Sequence, residues 1–239
     1  MSALGKHLSR YMSSNRPMSL RDGKRNQSDY TEEELRREAD TLERAVTIPV
    51  NVEIKADHRV LDLGEVEKIL RQANKIVLQD CGCRTGKGNC DAPVDVCLNI
   101  DPPHDYLKKS TNNNPREVTL AEALRALERS HKAGLVHMAY TMRGDDHATL
   151  VCSCCSCCCF TLNGLLRHGI ATQVLTSKFI AEQDPEKCIA CGKCANRCVF
   201  GARRVVKKKL EYDKSRCFGC GLCTSTCPTS AIALKPRTE

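Results

Sequence analysis

CIACGKCANRC (Cys188–Cys198) and CFGCGLCTSTC (Cys217–Cys227) are two copies of one pattern, displaced by 29 residues along the chain. Both copies spell Cys-x2-Cys-x2-Cys-x3-Cys, and a glycine, Gly192 or Gly221, follows the second cysteine of each. A loop that turns this tightly favours a residue that tolerates positive φ, as glycine does. The repeat therefore predicts two copies of one small supersecondary unit, each presenting four thiols.

This cysteine run resembles that of bacterial ferredoxins, in which the first three cysteines of a copy hold one 4Fe-4S cluster and the fourth ligates the other. Pro228 after Cys227 completes the family pattern, whereas Val199 follows Cys198 where proline is usual. The resemblance implies crossed ligand sets. The first set is Cys188, Cys191, Cys194 and Cys227, and the second is Cys217, Cys220, Cys223 and Cys198.

Paired Cys-x2-Cys units also bind zinc, so a pair of zinc ribbons is the alternative for this repeat. A zinc ion needs four thiolates from two pairs, whereas eight cysteines in two four-membered runs favour two 4Fe-4S clusters. Between the copies, residues 204–212 are expected to form a β-strand or hairpin.

Ten further cysteines lie outside the repeat, in two segments. The first segment contains Cys81, Cys83, Cys90 and Cys97, and the second contains Cys152, Cys154, Cys155, Cys157, Cys158 and Cys159. Adjacent cysteines project differently from the backbone, so those of one segment cannot all converge on a single cluster. We therefore expect two metal sites that share both segments, either two more 4Fe-4S clusters or one cluster plus a structural zinc.

Three segments of this half resemble a family of 4Fe-4S binding proteins of anaerobic bacteria and archaea. They are CGCRTGKGNCDAPVDVCL, EALRALERSHKAGLVH and VCSCCSCCC, and the resemblance covers about residues 60–239. In that family a cysteine-rich half precedes a dicluster ferredoxin. The resemblance implies electron transfer beside anaerobic redox enzymes.

The expected fold is α+β, with a mostly helical N-terminal domain followed by a pseudo-symmetric bacterial dicluster ferredoxin domain. The chain then divides into a flexible or partner-bound basic arm at 1–30, a helical cysteine-rich metal-binding domain at 31–175 and a 2x4Fe-4S ferredoxin domain at 176–239. A length of 239 residues suits two compact modules and a tail.

Four helices are predicted in the cysteine-rich half. A capping box of Thr31 with Glu34 opens one over residues 31–45, apolar spacing predicts another over 63–75, and a third is expected over 162–168. The clearest begins at the capping box of Thr119 with Glu122 and ends near Gly134. Residues 76–78 are predicted to form a short buried strand that leads into Cys81.

Composition indicates that metal centres help to fold this chain. Cysteine accounts for 18 residues, aromatic residues for 4%, and tryptophan is absent, so a hydrophobic fraction of 41% overstates the material for an ordinary core. Metal binding contributes folding free energy in such chains. The first thirty residues have no apolar stretch typical of a secretory signal, and no window of eighteen apolar residues occurs. We expect a cytoplasmic protein without a transmembrane segment.

The formal net charge of +8 counts every thiol as neutral. Each 4Fe-4S site adds about two negative charges, so two sites lower the net charge to about +4. Nucleic-acid binding therefore loses its main support, which was the high positive charge. Basic residues remain at 203–209, where Arg203, Arg204, Lys207, Lys208 and Lys209 either dock an acidic partner or form a solvated face.

Three other side chains are candidates near the cysteines. His137 and His147 lie between the two segments and are either ligands or ordinary structural histidines. Arg84, directly after Cys83, either donates hydrogen bonds to thiolates or forms a salt bridge.

The predicted function is an iron-sulfur electron-transfer protein, serving as the electron-relay subunit of a larger anaerobic oxidoreductase. Its partners would be redox enzyme subunits and a soluble electron donor or acceptor, with no nucleic acid. One alternative is a catalytic disulfide-reductase-like subunit with a special cluster in the N-terminal half, although no glycine follows a Cys-Cys pair here as it does in heterodisulfide reductases. Another is an iron-sulfur or zinc carrier.

Overall fold

The computed structural model describes residues 31–39, 42–48, 51–55, 58–62, 64–110, 113–142, 148–168, 174–207 and 209–237. These ranges include all 18 cysteines. The predicted basic arm at 1–30, together with His147 and Lys208, lies outside the described residues.

A seven-stranded sheet dominates the cysteine-rich half. The strands up to residue 175 are β1 (Leu42–Ile48), β2 (Asn51–Lys55), β3 (His58–Asp62), β4 (Ile76–Asp80), β5 (Asp95–Ile100), β6 (Arg116–Glu117), β7 (Val136–Met142), β8 (Leu150–Cys154) and β9 (Val174–Leu175). The sheet has the order β6-β4-β5-β8-β7-β1-β9, while β2 and β3 form a separate hairpin. Neighbouring strands of the sheet are antiparallel except for β1 and β9, which are parallel.

Six helices accompany these strands in the described part of this half. They are α1 (Glu32–Ala39), α2 (Gly64–Gln72), α3 (Gly82–Lys87), α4 (Tyr106–Lys109), α5 (Leu120–Lys132) and α6 (Phe160–His168). Both predicted capping boxes are confirmed: the Thr119 hydroxyl accepts from the Glu122 amide at 3.3 Å, and the Thr31 hydroxyl accepts from the Glu34 amide at 3.2 Å. The predicted strand at 76–78 is confirmed as part of β4.

The prediction of a mostly helical N-terminal domain is wrong, because the sheet is its central element. The helix predicted over residues 31–45 ends at Ala39, and β1 follows it and pairs with β7 about a hundred residues away. Pairing partners this distant leave no local signal in the sequence, and tertiary context overrides local propensity. The helix starts predicted from the capping boxes were correct, but these signals concern only the helices and carry no information about the sheet.

The two faces of the sheet pack against different partners. Side chains alternate along β7, so Val136, Met138 and Tyr140 pack in one apolar cluster, while Ala139 packs in another with α2 and α5. On β8, Cys154 shares the first cluster and Val151 the second. The alternation therefore directs cysteines to the face opposite α5.

The C-terminal part has two antiparallel strand pairs around its cysteine loops. Its elements are β10 (Phe179–Gln183), α7 (Lys193–Arg197), β11 (Arg203–Val206), β12 (Lys209–Tyr212), a 3-10 turn (Lys214–Arg216) and β13 (Ile232–Pro236). Strand β10 pairs with β13 and so joins the two ends of the repeat. Strands β11 and β12 pair with each other, which confirms the hairpin predicted between the copies.

Leu127→Ala should lower the free energy of unfolding by about 2 to 5 kcal/mol, because it opens a cavity between α5 and the sheet. Leu127 is fully buried in that cluster. Arg125→Ala on the exposed side of the same helix is the matched control and should change stability by less than about 0.5 kcal/mol. Denaturant midpoints of the metal-loaded chain, followed anaerobically by circular dichroism, measure both, and equal midpoints would contradict the packing.

Candidate metal centres

The repeat contains a cavity, partly open to solvent, whose walls include four cysteines. Three of them, Cys188, Cys191 and Cys194, come from the first copy of the repeat, and Cys227 comes from the second. The Ala190 amide donates to the Cys188 sulfur at 3.5 Å, and the Ala231 amide donates to the Cys227 sulfur at 3.2 Å. Such amide contacts to ligand sulfurs are one way in which a protein adjusts the reduction potential of a cluster.

A second cavity, also partly open to solvent, has the reciprocal composition. Cys217, Cys220 and Cys223 come from the second copy, and Cys198 comes from the first. The structure thus brings together the four cysteines of each predicted crossed set. The two cavities differ in exposure, because Cys191 of the first is exposed whereas Cys217 and Cys220 of the second are buried.

A left-handed turn occurs at the same place in both copies. Ala190 has φ of 51° and its counterpart Gly219 has φ of 72°. The two positions differ in their surroundings, because a Cβ on Gly219 would lie 2.1 Å from the Phe179 carbonyl oxygen. The second copy therefore requires glycine for space as well as for conformation.

Arg203 lies in the wall of the second cavity and is almost fully buried. Its guanidinium donates to Gln183 Oε1 at 2.8 Å and to the Ala181 carbonyl at 3.1 Å, and it stacks 4.0 Å from the Tyr212 ring. It is therefore unavailable to dock an acidic partner. Arg204, by contrast, is exposed and pairs with Glu211 across the hairpin.

In the cysteine-rich half, four of the ten thiols form a compact group. We call Cys90, Cys155, Cys157 and Cys158 the four-thiol group, because their sulfur atoms all lie within 4.8 Å of one another. Three of these cysteines sit at the turn between β8 and α6, and Cys90 comes from the loop after α3. Asn89 Nδ2 donates to the Cys157 carbonyl at 3.1 Å, which fastens that loop to the turn.

The other six cysteines form a continuous series of thiol contacts, which we call the six-thiol group. In order of contact they are Cys83, Cys81, Cys97, Cys152, Cys154 and Cys159. Hydrogen bonds from Cys83 and Cys97 lower the pKa of Cys81 to about 3, and those from Cys152 and Cys159 lower the pKa of Cys154 to about 5. Thiolates, the form that ligates metals, are therefore favoured at two points of the group.

Arg84 is a buried cation between the two groups, only 2% exposed. It donates to the Ser153 carbonyl at 3.0 Å. Burial alone would lower its pKa, but the negative charges of Cys155 and Cys81 outweigh burial and raise the pKa. Of the two roles predicted for Arg84, contact with thiolates is the one that the structure supports.

His137 is fully buried on the α5 face of the sheet. Its Nδ1 lies 3.0 Å from the Ser153 hydroxyl, and its ring stacks on His131 of α5 with centroids 5.8 Å apart. Burial and the neighbouring His131 lower the pKa of His137 to about 3, so the ring is neutral. These contacts favour the structural role over ligation.

Aromatic residues that the sequence did not single out lie between the six-thiol group and the second cavity. The Tyr140 hydroxyl lies 3.7 Å from the Cys154 sulfur and 4.0 Å from the Cys159 sulfur. Phe200, which lines the second cavity, stacks on Phe218 with ring centroids 4.4 Å apart. All of these residues share one apolar cluster with Cys220. No short sequence motif predicts that these aromatic residues lie close together, because their proximity depends on how β7 and α6 pack on the repeat.

The crossed cysteine quartets and their loops define a domain of the iron-sulfur class. Residues 181–234 match the family model of the 4Fe-4S dicluster domain, so this part of the chain is such a domain. A search of curated proteins found no matching relative of the chain. The domain and the buried cysteine groups together support iron-sulfur electron transfer. Among the described helices, none has the length and apolar character needed to cross a membrane.

Paired cysteine variants should separate crossed from uncrossed ligation. Cys188→Ser with Cys227→Ser removes two thiols from one quartet, so iron should fall by about four per chain. Cys188→Ser with Cys198→Ser is the matched pair that damages both quartets, and iron should fall by about eight. Iron and sulfide analysis after anaerobic purification measures the difference. The reverse order of losses would mean that each copy binds its own cluster.

Gly219→Ala should disturb the second cavity alone, because the new methyl group meets the Phe179 carbonyl and the backbone has positive φ. We expect a loss of about four irons per chain. Gly86→Ala is the control, since that glycine is exposed in α3 with open space around it. Unchanged iron content in Gly219→Ala would show that the turn can move away from Phe179.

Proposed function

We propose that this protein passes single electrons between a soluble donor or acceptor and a partner redox enzyme, as the relay subunit of an anaerobic oxidoreductase complex. The observation that carries the proposal is the pair of cavities, each framed by three cysteines of one copy and one of the other. We assign Cys188, Cys191, Cys194 and Cys227 as ligands of one 4Fe-4S cluster, and Cys217, Cys220, Cys223 and Cys198 as ligands of the other. Such clusters, when bound, supply one-electron chemistry.

The first cavity lies where a partner can approach it. Ile189, which lines this cavity, is 64% exposed, and Val205 beside Gly192 is 45% exposed. Together with the exposed Cys191 they form an apolar patch, and exposed apolar side chains of this kind are typical of interaction sites. We infer that electrons enter or leave the protein here.

The second cavity lies beside the six-thiol group, because Phe200 of its wall packs in the same apolar cluster as Cys154 and Cys159. Phe200 and Phe218 bridge the two regions, and Cys220 packs in the same cluster as Cys154 and Cys159. The six-thiol group holds more sulfur ligands than one metal centre needs, and we infer that it binds a further iron-sulfur centre. A relay would then run from the exposed patch through the ferredoxin domain to the sheet. Burial of these thiols argues against a carrier, which must release its cluster to an acceptor.

Isolation of the native protein from its host tests the subunit role. A redox enzyme should co-elute with the chain on anaerobic size exclusion, and electron paramagnetic resonance during reduction should show interacting one-electron centres. A monomer with no co-eluting enzyme would overturn the subunit role while leaving electron transfer intact. A new paramagnetic species after thiol trapping would instead favour the catalytic, disulfide-reductase-like alternative.

Ile189→Asn should weaken docking at the exposed patch. Removing a side chain that a partner buries costs about 1.5 to 3 kcal/mol, so the apparent affinity for the co-eluting enzyme should fall about tenfold or more. Cluster content should not change, because the side chain points largely to solvent. Val94→Asn, another exposed apolar residue in the cysteine-rich half, is the control. Equal electron-transfer kinetics for both variants would place the docking surface elsewhere.

A further inference from the structure

The four-thiol group differs in its spacing from the quartets of the repeat. The sulfurs of Cys90 and Cys155 are 3.8 Å apart, as are those of Cys157 and Cys158, and all four lie within 4.8 Å of one another. Among the described residues no other group of three or more thiols has mutual distances this short, so the quartets of the repeat are more widely spaced. The two kinds of cysteine group therefore suit metal centres of different size.

Sulfur spacing distinguishes a single ion from a cluster. In a tetrahedral tetrathiolate site with metal–sulfur bonds of about 2.3 Å, neighbouring sulfurs are about 3.8 Å apart. In a 4Fe-4S site the cysteine sulfurs lie outside the corners of a cube and are on the order of 6 Å apart. The observed upper limit of 4.8 Å fits the single ion and is too short for the cube.

We propose that Cys90, Cys155, Cys157 and Cys158 bind one zinc ion in a closed structural site. All four positions of a tetrahedron are then taken by thiolates, which is the composition of structural rather than catalytic zinc. Zinc is favoured over ferrous iron because divalent zinc binds such sites more tightly. The inference does not depend on the electron-relay role.

Arg84 supplies charge for this site. Zinc with four thiolates carries a net charge of −2, and a buried anion of this kind needs a nearby cation. The guanidinium of Arg84 interacts with Cys155 and Cys90 of the four-thiol group and with Cys81 of the six-thiol group. It therefore offsets the charge of the zinc site and links that site to the neighbouring thiols.

The zinc ion would position the six-thiol group. Cys90 and Cys155 are 65 residues apart, so a shared ion ties the loop after α3 to the turn after β8. That turn directly follows Cys154 and directly precedes Cys159, both of which belong to the six-thiol group. The site thus acts as a crosslink that holds the thiols of the six-thiol group in position.

Metal analysis of the full chain, purified anaerobically, tests the proposal. We expect about one zinc per chain in addition to iron, and X-ray absorption at the zinc edge should show four sulfurs at about 2.3 Å. Cobalt(II) substituted for zinc should give the visible bands of a tetrahedral tetrathiolate. Zinc-free protein with iron at this position, as a single ion or as part of a cluster, would overturn the proposal.

Cys90→Ser should reduce zinc at least about tenfold, because a closed site loses one of its four ligands. Cys83→Ser is the matched control: Cys83 is also only partly buried, but it belongs to the six-thiol group, so zinc should remain near one per chain. Retention of about eight irons in Cys90→Ser would show that the ferredoxin domain is folded. About one zinc per chain in Cys90→Ser, or an equal loss of zinc in both variants, would contradict the assignment. If Cys90→Ser does not fold, the X-ray absorption and cobalt spectra of the unaltered chain test the assignment instead.

Discussion

The structure depends on contacts between cysteine side chains that come from distant parts of the chain. Cys90 meets Cys155, and Cys198 joins a cavity formed by Cys217, Cys220 and Cys223. Thiols gathered and buried in this way repel one another once ionised, so the arrangement is stable only when hydrogen bonds or metal ions compensate. A chain with 4% aromatic residues and no tryptophan has a modest apolar core, and metal binding then contributes directly to its folding.

The sheet and the dicluster domain are joined through one apolar cluster and a few polar contacts. Phe200 and Phe218 pack beneath Tyr140 and the residues of α6. Arg197 of the domain donates to the His131 carbonyl at 2.5 Å, and the His131 ring lies 2.8 Å from the Ser225 hydroxyl. Arg197 also donates to the Lys132 carbonyl at 2.6 Å, so the dicluster domain contributes to capping the end of α5. These contacts favour a fixed position of the two cysteine-rich regions relative to each other.

Exposure is graded from one end of this arrangement to the other. Cys191 at the first cavity is exposed, Cys217 and Cys220 at the second are buried, and the six-thiol group lies against the face of the sheet. Solvent exposure is one factor that sets the reduction potential of a cluster. Arg84 is a fixed positive charge at the inner end. Clusters bound at these sites would therefore differ in reduction potential although their ligands are alike.

The sequence alone determined the repeat, the hairpin between the copies and the capping boxes at Thr31 and Thr119, and it predicted the two cysteine quartets that line the cavities. These features follow from local spacing and local hydrogen bonds, which neighbours in the chain specify. The tertiary structure decided the seven-stranded sheet and the division of the ten other cysteines into groups of four and six. That division arises because β8 pairs with β5 and β7, so that Cys154 stays in the sheet while Cys155 begins the turn. Strand register between distant segments has no local signature, which is why a mostly helical half was expected and the boundary at residue 176 stays a prediction.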